Sequence, residues 1–277
     1  MTVSFSLDGA APAPRDAATV LVVRDSPDGP EVFFVKRAAA VRFMGGAYVF
    51  PGGRLDPEDA DPEVACDLAA DACAARLGEP DGPRARALHV AALRECLEES
   101  GLLLAAPAAA PDVVDALRAA LAPKERPSLA ELLRAHGVTL ACGALVPWSR
   151  WVTPRQESRR FDARFFVAQA PADVSRARHD GGETVASGWL TPREAIARAA
   201  RAEIVLAPPT WRTLAEIADA ADVAGLVARP RDPSTPREPS VEAFGDSFAV
   251  VIGDDPSAPR GLPSRFLYRD GAWSVDG

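Results

Sequence analysis

Between Arg94 and Leu102 the chain reads Arg-Glu-Cys-Leu-Glu-Glu-Ser-Gly-Leu, and this stretch narrows the possible folds more than any other. On a helix, Glu95 lies three residues before Glu98 and four before Glu99, so three carboxylates share one face. Leu88, Ala92, Leu93, Cys96 and Leu97 mark the opposite, core-facing side. Gly101 stands where a helix end favours a residue free to turn left-handed. Like charges at this spacing cost about 0.2–0.5 kcal/mol per pair, and negative charge in a last helical turn costs about 0.3–1 kcal/mol more. A divalent cation held by these hard oxygen ligands removes both penalties. The competing reading is a solvated acidic face with Arg94 paired to Glu98 at i+4.

The surrounding sequence supplies strands and helices in mixed order. Runs rich in β-branched and aromatic residues predict strands over 17–24, 31–36, 47–50, 139–146, 161–168 and 185–190. Helical patterns fall over 62–77, 83–100, 111–121, 128–136 and 209–220, with a further helix opened by Thr191, Pro192 and Glu194. Ser128 and Glu131 form a capping box. Residues 229–240 are dense in proline and charge and read as a linker or surface-hugging segment, followed by short strands over 247–252, 265–268 and 272–275. This order predicts an α/β (α+β) sandwich with a mixed sheet and inserted helices.

Charge and composition bound the function. The chain has 31 Lys and Arg against 39 Asp and Glu, a formal net charge of −8, which argues against a general nucleic-acid binder. A phosphorylated small molecule stays open, since metal ions screen like charges. No apolar stretch reaches the ~18–20 residues of a spanning helix, so no membrane partner is expected. Residues 1–15 lack a basic head followed by an apolar run, so no secretory leader is expected. Cys66, Cys73, Cys96 and Cys142 form no CxxC pair, and Cys66 and Cys73 fall on one face of the helix predicted there; reduced, buried thiols in a cytoplasmic protein are expected. His89, His136 and His179 share no metal-ligand spacing.

Residues 94–102, together with Phe50-Pro51-Gly52-Gly53 upstream, resemble the Nudix box of the Nudix hydrolase family. Arg94, Glu95, Glu98, Glu99, Gly101 and Leu102 match its second half, with Cys96 in an aliphatic slot, and Gly53 matches its leading glycine. Asp59 stands where the pattern has a glutamate. Arg94 follows Gly53 by 41 positions where the pattern has 14, an excess of 27. The box is therefore interrupted by an inserted helix over about 61–87. This interruption, the preceding Met44-Gly45-Gly46-Ala47-Tyr48-Val49 and the Leu206-Ala207-Pro208-Pro209-Thr210 run are similar to a long-insert branch that includes peroxisomal coenzyme A diphosphatases. The chain ends Ser274-Val275-Asp276-Gly277, without a peroxisomal ending.

The resemblance implies a Nudix-type α/β/α sandwich over 1–228, with a second helical insertion over 107–137, and a β extension over 229–277. It also implies metal-dependent hydrolysis of a diphosphate. Glu95 and Glu99 become the principal Mg²⁺ or Mn²⁺ ligands, Glu98 a further one, and the Gly53 carbonyl an extra one. Arg94 holds the carboxylates in place, and Glu183 is the candidate late acid, as ligand or general base, with Glu157 its rival. The favoured substrate is coenzyme A or an acyl ester; nucleotide sugars, ADP-ribose and dinucleoside polyphosphates are alternatives, as is a non-catalytic nucleotide-binding module.

From the residues themselves, Arg159, Arg160 and Arg164 have the bidentate geometry to grip a phosphate, or else pair with Asp162 or Glu157. Trp148 and Trp151 offer faces on which an adenine stacks, although tryptophans beside a strand more often serve the core. Lys36 and Arg37 end a strand and read as surface charges before they read as phosphate ligands. A homodimer is left open.

Overall fold

The β-branched runs over 17–24, 31–36, 161–168 and 185–190 assemble into one mixed sheet with apolar core on both faces. A computed structural model describes residues 11–40, 44–123, 125–229, 231–244, 247–253, 261–269 and 272–276; the first ten positions of the stretch read as leaderless lie outside them. In chain order the sheet and its first helices are β1 (Arg15–Arg24), β2 (Glu31–Arg37), β3 (Ala47–Val49), β4 (Gly52–Arg54), α1 (Ala70–Leu77), α2 (Gly82–Ser100), α3 (Pro111–Leu121) and α4 (Leu129–Ala135). There follow β5 (Val146–Val152), β6 (Phe161–Gln169), β7 (Thr184–Leu190), α5 (Pro192–Ala200), β8 (Val205–Leu206), α6 (Pro208–Ile217) and α7 (Val223–Val227). The chain closes with β9 (Pro236–Arg237), β10 (Ser240–Phe244), β11 (Ser247–Val251), β12 (Arg265–Arg269) and β13 (Ala272–Asp276).

The main path through the mixed sheet is β8-β3-β2-β1-β6-β5-β9, with β4 on β1 and β7 on β2. Strand alternation divides the core. Val20, Val22, Phe33, Val35, Phe166 and Ala168 pack beneath α2 with Leu88 and Leu93. Leu21, Val23, Val32, Phe34, Phe165 and Val167 face the other way, with Leu214 and Ile217 of α6. The α/β sandwich with a mixed sheet and inserted helices is thus present as expected.

One irregularity positions the site. β1 and β2 pair at Val23–Val32 and Arg24–Glu31 and then part. Along β1 the vacated edge takes β4, with Ala18 opposite Gly53; along β2 it takes β3, with Val35 opposite Val49. The β3–β4 segment therefore wedges Gly52 and Gly53 into the opening of the sheet.

Two local expectations are corrected, and for the proline-rich segment the structure favours the surface-hugging reading over the linker. Residues 62–69 are not helical, because Arg86 draws in the carbonyls of Asp61, Pro62 and Val64 and Cys66 bridges to Leu140. Cys66 and Cys73 therefore do not share a helix face. The strand predicted over 139–146 is reduced to bridges at Leu140 and a 3₁₀ turn at Cys142–Ala144, since the Gly143 N–H donates to Asp67 (2.8 Å) and regular pairing begins only with β5 at Val146. The proline-rich segment is no free linker: β9 pairs with β5, and Arg231 and Arg237 donate to fully buried Glu216 of α6 (2.5 and 2.9 Å). The β10-β11-β12-β13 meander follows, and its Phe266 packs in the same cluster as Leu214.

Candidate active site

Asp81 caps α2 by accepting from the Arg84 N–H (3.0 Å), and Gly101 ends it at φ 69°. The expected apolar face is present: Leu88, Leu93, Cys96 and Leu97 are buried against the sheet. The other face carries Arg94, which is itself almost fully buried. Its guanidinium meets Asp59 fork to fork, Nε to Oδ1 and Nη2 to Oδ2, both at 2.8 Å. Nη1 donates to Glu95 (3.0 Å) and Glu98 (3.1 Å), and Nη2 to the Arg54 carbonyl (3.1 Å). Burial works against the charge of Arg94, but Asp59 and Glu95 outweigh it and hold the guanidinium above its usual range.

The carboxylates respond in the opposite sense. Burial pushes Glu99 up to about 8 against the Gly52 N–H that donates to it (3.0 Å), and Glu95 adds repulsion. Burial likewise pushes Glu95 up to about 7 despite Arg94, and raises Glu98. The glycines make this packing possible. A Cβ on Gly53 would stand under 3.0 Å from the Glu95 carboxylate, and one on Gly52 equally close to the backbone of Thr19. At this point the wedge carries no side chains, and acids from the α2 side reach the cleft on the other face.

That cleft measures about 930 Å³ and runs from Glu95 and Glu99, past Trp151 and Phe165, to Phe248 and Trp273 of the meander. Glu183 lines it. Its backbone is set by Asp180, which accepts from the Glu183 N–H (3.1 Å) and Thr184 N–H (2.8 Å), and by the Ala38 N–H donated to its carbonyl (2.8 Å). The Glu183 charge contributes to raising Glu99. Glu157 also lines the cleft, and burial lifts it to about 6. Arg118 of the helical insertion donates to the Glu98 carbonyl (3.2 and 3.1 Å) and the Arg178 carbonyl (2.8 Å), tying the end of α2 to the loop that carries Glu183.

The structure brings Gly53, Arg94, Glu95, Glu98, Glu99, Glu157, Arg159, Glu183 and Trp151 to one cleft and leaves Arg160, Arg164 and Trp148 outside it. Arg160 spends its guanidinium on the Thr153 carbonyl (3.0 Å), the Pro12 carbonyl (2.9 Å) and Glu238 (2.6 Å). Arg164 is fully buried against Asp162 and Glu79. Alternation along β6 explains the latter: Phe161, Ala163 and Phe165 face the cleft, and the residues between them face α1 and α2. Trp148 is core, donating its indole N–H to Glu216 (3.1 Å).

A model of the NUDT19 Nudix domain matches residues 74–217, just over half of the chain and inclusive of the whole acidic helix turn. The chain belongs to the Nudix hydrolase family. This Nudix hydrolase is 30% identical over 255 residues to the acyl-coenzyme A diphosphatase NUDT19 of Gallus gallus, covering 73% of this chain and 68% of the relative. The human acyl-coenzyme A diphosphatase NUDT19 is 29% identical over 241 residues, covering 72% of this chain and 63% of that one; the chain thus spans about two thirds of their length. Among solved structures, a NUDIX hydrolase from Alicyclobacillus acidocaldarius superposes with a TM-score of 0.63 at 30% identity, over 78% of this chain and 96% of that one.

The donor set suits a hard divalent cation: carboxylate oxygens, no soft ligand, and acids that burial leaves short of compensating charge. Among the described residues no three ligands converge as a preassembled cage. One oxygen each of Glu95 and Glu98 is turned to Arg94, so their other oxygens and Glu99 are the donors available.

Proposed function

We propose that this Nudix hydrolase cleaves the diphosphate of coenzyme A or of an acyl-coenzyme A, with Mg²⁺ or Mn²⁺ held by Glu95, Glu98 and Glu99 and by the Gly53 carbonyl. The observation that carries the reading is the set of acids that line the cleft from the last turns of α2, Glu95 and Glu98 held by Arg94, which is itself paired with Asp59, and Glu99 by the Gly52 N–H. A metal bound there supplies charge compensation for the diphosphate and lowers the pKa of a water. Arg94 keeps the carboxylates in register. Glu183 accepts the proton of the attacking water and holds that water in line with phosphorus. Serine or cysteine nucleophiles have no part in this scheme.

The choice of coenzyme A esters rests on two supports. The curated relatives are acyl-coenzyme A diphosphatases. The cleft also continues from the acids into an apolar stretch walled by Phe165, Val250, Phe248 and Trp273, room for a bulky apolar group beyond the diphosphate.

Purified protein with Mg²⁺ or Mn²⁺ should split coenzyme A esters into two phosphorylated products faster than nucleotide sugars, ADP-ribose or dinucleoside polyphosphates. Preference for one of the latter overturns the substrate; binding without turnover across the panel replaces the enzyme reading with a nucleotide-binding module.

A further inference from the structure

Arg37 lines the cleft and has a buried guanidinium nitrogen without a hydrogen-bond partner. It ends β2, and the pairing of β2 with β7 shifts register between Lys36 and Arg37, the kind of irregularity that re-aims a side chain beside an active site. Its side chain lines the cleft with Glu99 and Glu183. Two other guanidiniums of the cleft are occupied: Arg94 by four acceptor groups, Arg54 by Asp56 at 2.9 Å. The Arg37 Nε, by contrast, is buried without a hydrogen-bond partner, and among the described residues no carboxylate lies within 4 Å of its guanidinium to form an ion pair. Yet its charge reaches Glu99. A cation sensed by an acid but not bonded to it leaves its donors open to an oxygen-rich anion, whose repulsion by the acid a cation held there would offset.

We infer that Arg37 is a substrate-binding residue that donates to a non-bridging oxygen of the substrate's reacting diphosphate, opposite the carboxylates. The inference rests on the proposed hydrolysis of a diphosphate and assigns to it a protein-borne clamp in addition to metal. Arginine suits the role because its planar fork matches phosphate oxygens and its charge is permanent. A donor fixed where charge builds up on a transferring phosphoryl group assists the transition state, and removing one such donor from an active site costs about 10²–10³ in rate.

The test compares Arg37→Ala and Arg37→Lys with the parent in three measurements. ADP binding is titrated calorimetrically without metal, Mn²⁺ binding is followed by electron paramagnetic resonance, and kcat and KM are taken on coenzyme A. Arg37→Ala should weaken metal-free ADP at least about tenfold and lower kcat/KM about 10²-fold, with Mn²⁺ affinity unchanged or tighter. Arg37→Lys, which keeps the charge and loses the fork, should recover part of both. Unchanged ADP affinity and KM with tighter Mn²⁺ binding would overturn the assignment and leave Arg37 as a counter-charge to Glu99. If coenzyme A is not cleaved, the substrate reading fails on its own, and the ADP titration still decides whether Arg37 grips a diphosphate.

Discussion

Asp59 and Arg94 lie 35 residues apart and meet in two parallel 2.8 Å hydrogen bonds, with Asp59 fully buried and Arg94 nearly so. The aspartate thereby neutralises the arginine that aligns Glu95 and Glu98. Asp59→Ala leaves a guanidinium buried and short of its carboxylate partner, and loss of one member of such a pair costs about 3–5 kcal/mol. Urea denaturation of Asp59→Ala should show that loss. Asp59→Asn, which keeps one acceptor, should lose less, and an unaltered midpoint for both would contradict the anchoring role.

The acids also set how stability depends on pH. Folded Glu95 and Glu99 titrate near 7 and 8, above the ordinary carboxylate value of 4.5, because burial disfavours their charge. Between about 4.5 and 8 the folded state therefore holds more protons than the unfolded chain, and their contribution falls as pH rises through that window. Metal-free protein should lose melting temperature from pH 5 to pH 8, and Glu99→Gln should flatten the decline. Each kcal/mol recovered moves Tm by roughly 2–4 °C in a chain of this size. Mg²⁺ needs the ionised acids, so its stabilising effect should be larger at pH 8 than at pH 6 and its binding should release protons. Equal stabilisation at both pH values would count against these ligands.

Glu183 and Glu157 compete for the role of base. The charge of Glu183 is among those that raise Glu99. Glu183→Gln should lower kcat by about 10²-fold or more with KM little changed, whereas Glu157→Gln should leave kcat within a few-fold of the parent. The reverse ranking in a steady-state comparison would transfer the role to Glu157.

The meander forms the far wall of the cleft through Phe248, Val250 and Trp273. If an acyl chain lies there, Phe248→Ala should raise KM for long-chain acyl-coenzyme A several-fold more than for free coenzyme A. A uniform change across a chain-length series would show that the wall serves folding alone.

The helix over Arg94–Ser100, its terminator Gly101 and its paired faces were legible because they depend on neighbours three and four positions away. So were β1, β2, β6 and β7, as period-two or β-branched runs. The placement of Arg164 was not legible, since it turns on which face of β6 an even-numbered residue occupies once β1 and β5 have fixed the register, and that of Arg160 was not because its acceptors come from Pro12, Thr153 and Glu238, far apart in the chain. Arg37 read as a surface charge because a register shift between β2 and β7 leaves no mark in either strand's own residues. The start of α1 was displaced for a similar reason, with carbonyls of the helical-looking stretch claimed by Arg86 from another element.

By itself the sequence determined a helix that concentrates carboxylates in its last turn, a glycine pair upstream and a mixed α/β order, because short-range spacing and propensity specify these. Only the tertiary structure decided that Asp59 closes on Arg94, that β3 and β4 wedge the glycines between parted strands, and that residues beyond 240 wall the cleft. Those outcomes follow from which strand edges are free and which charges can be buried only in company. Such contacts join residues dozens to hundreds of positions apart, and no local pattern encodes them.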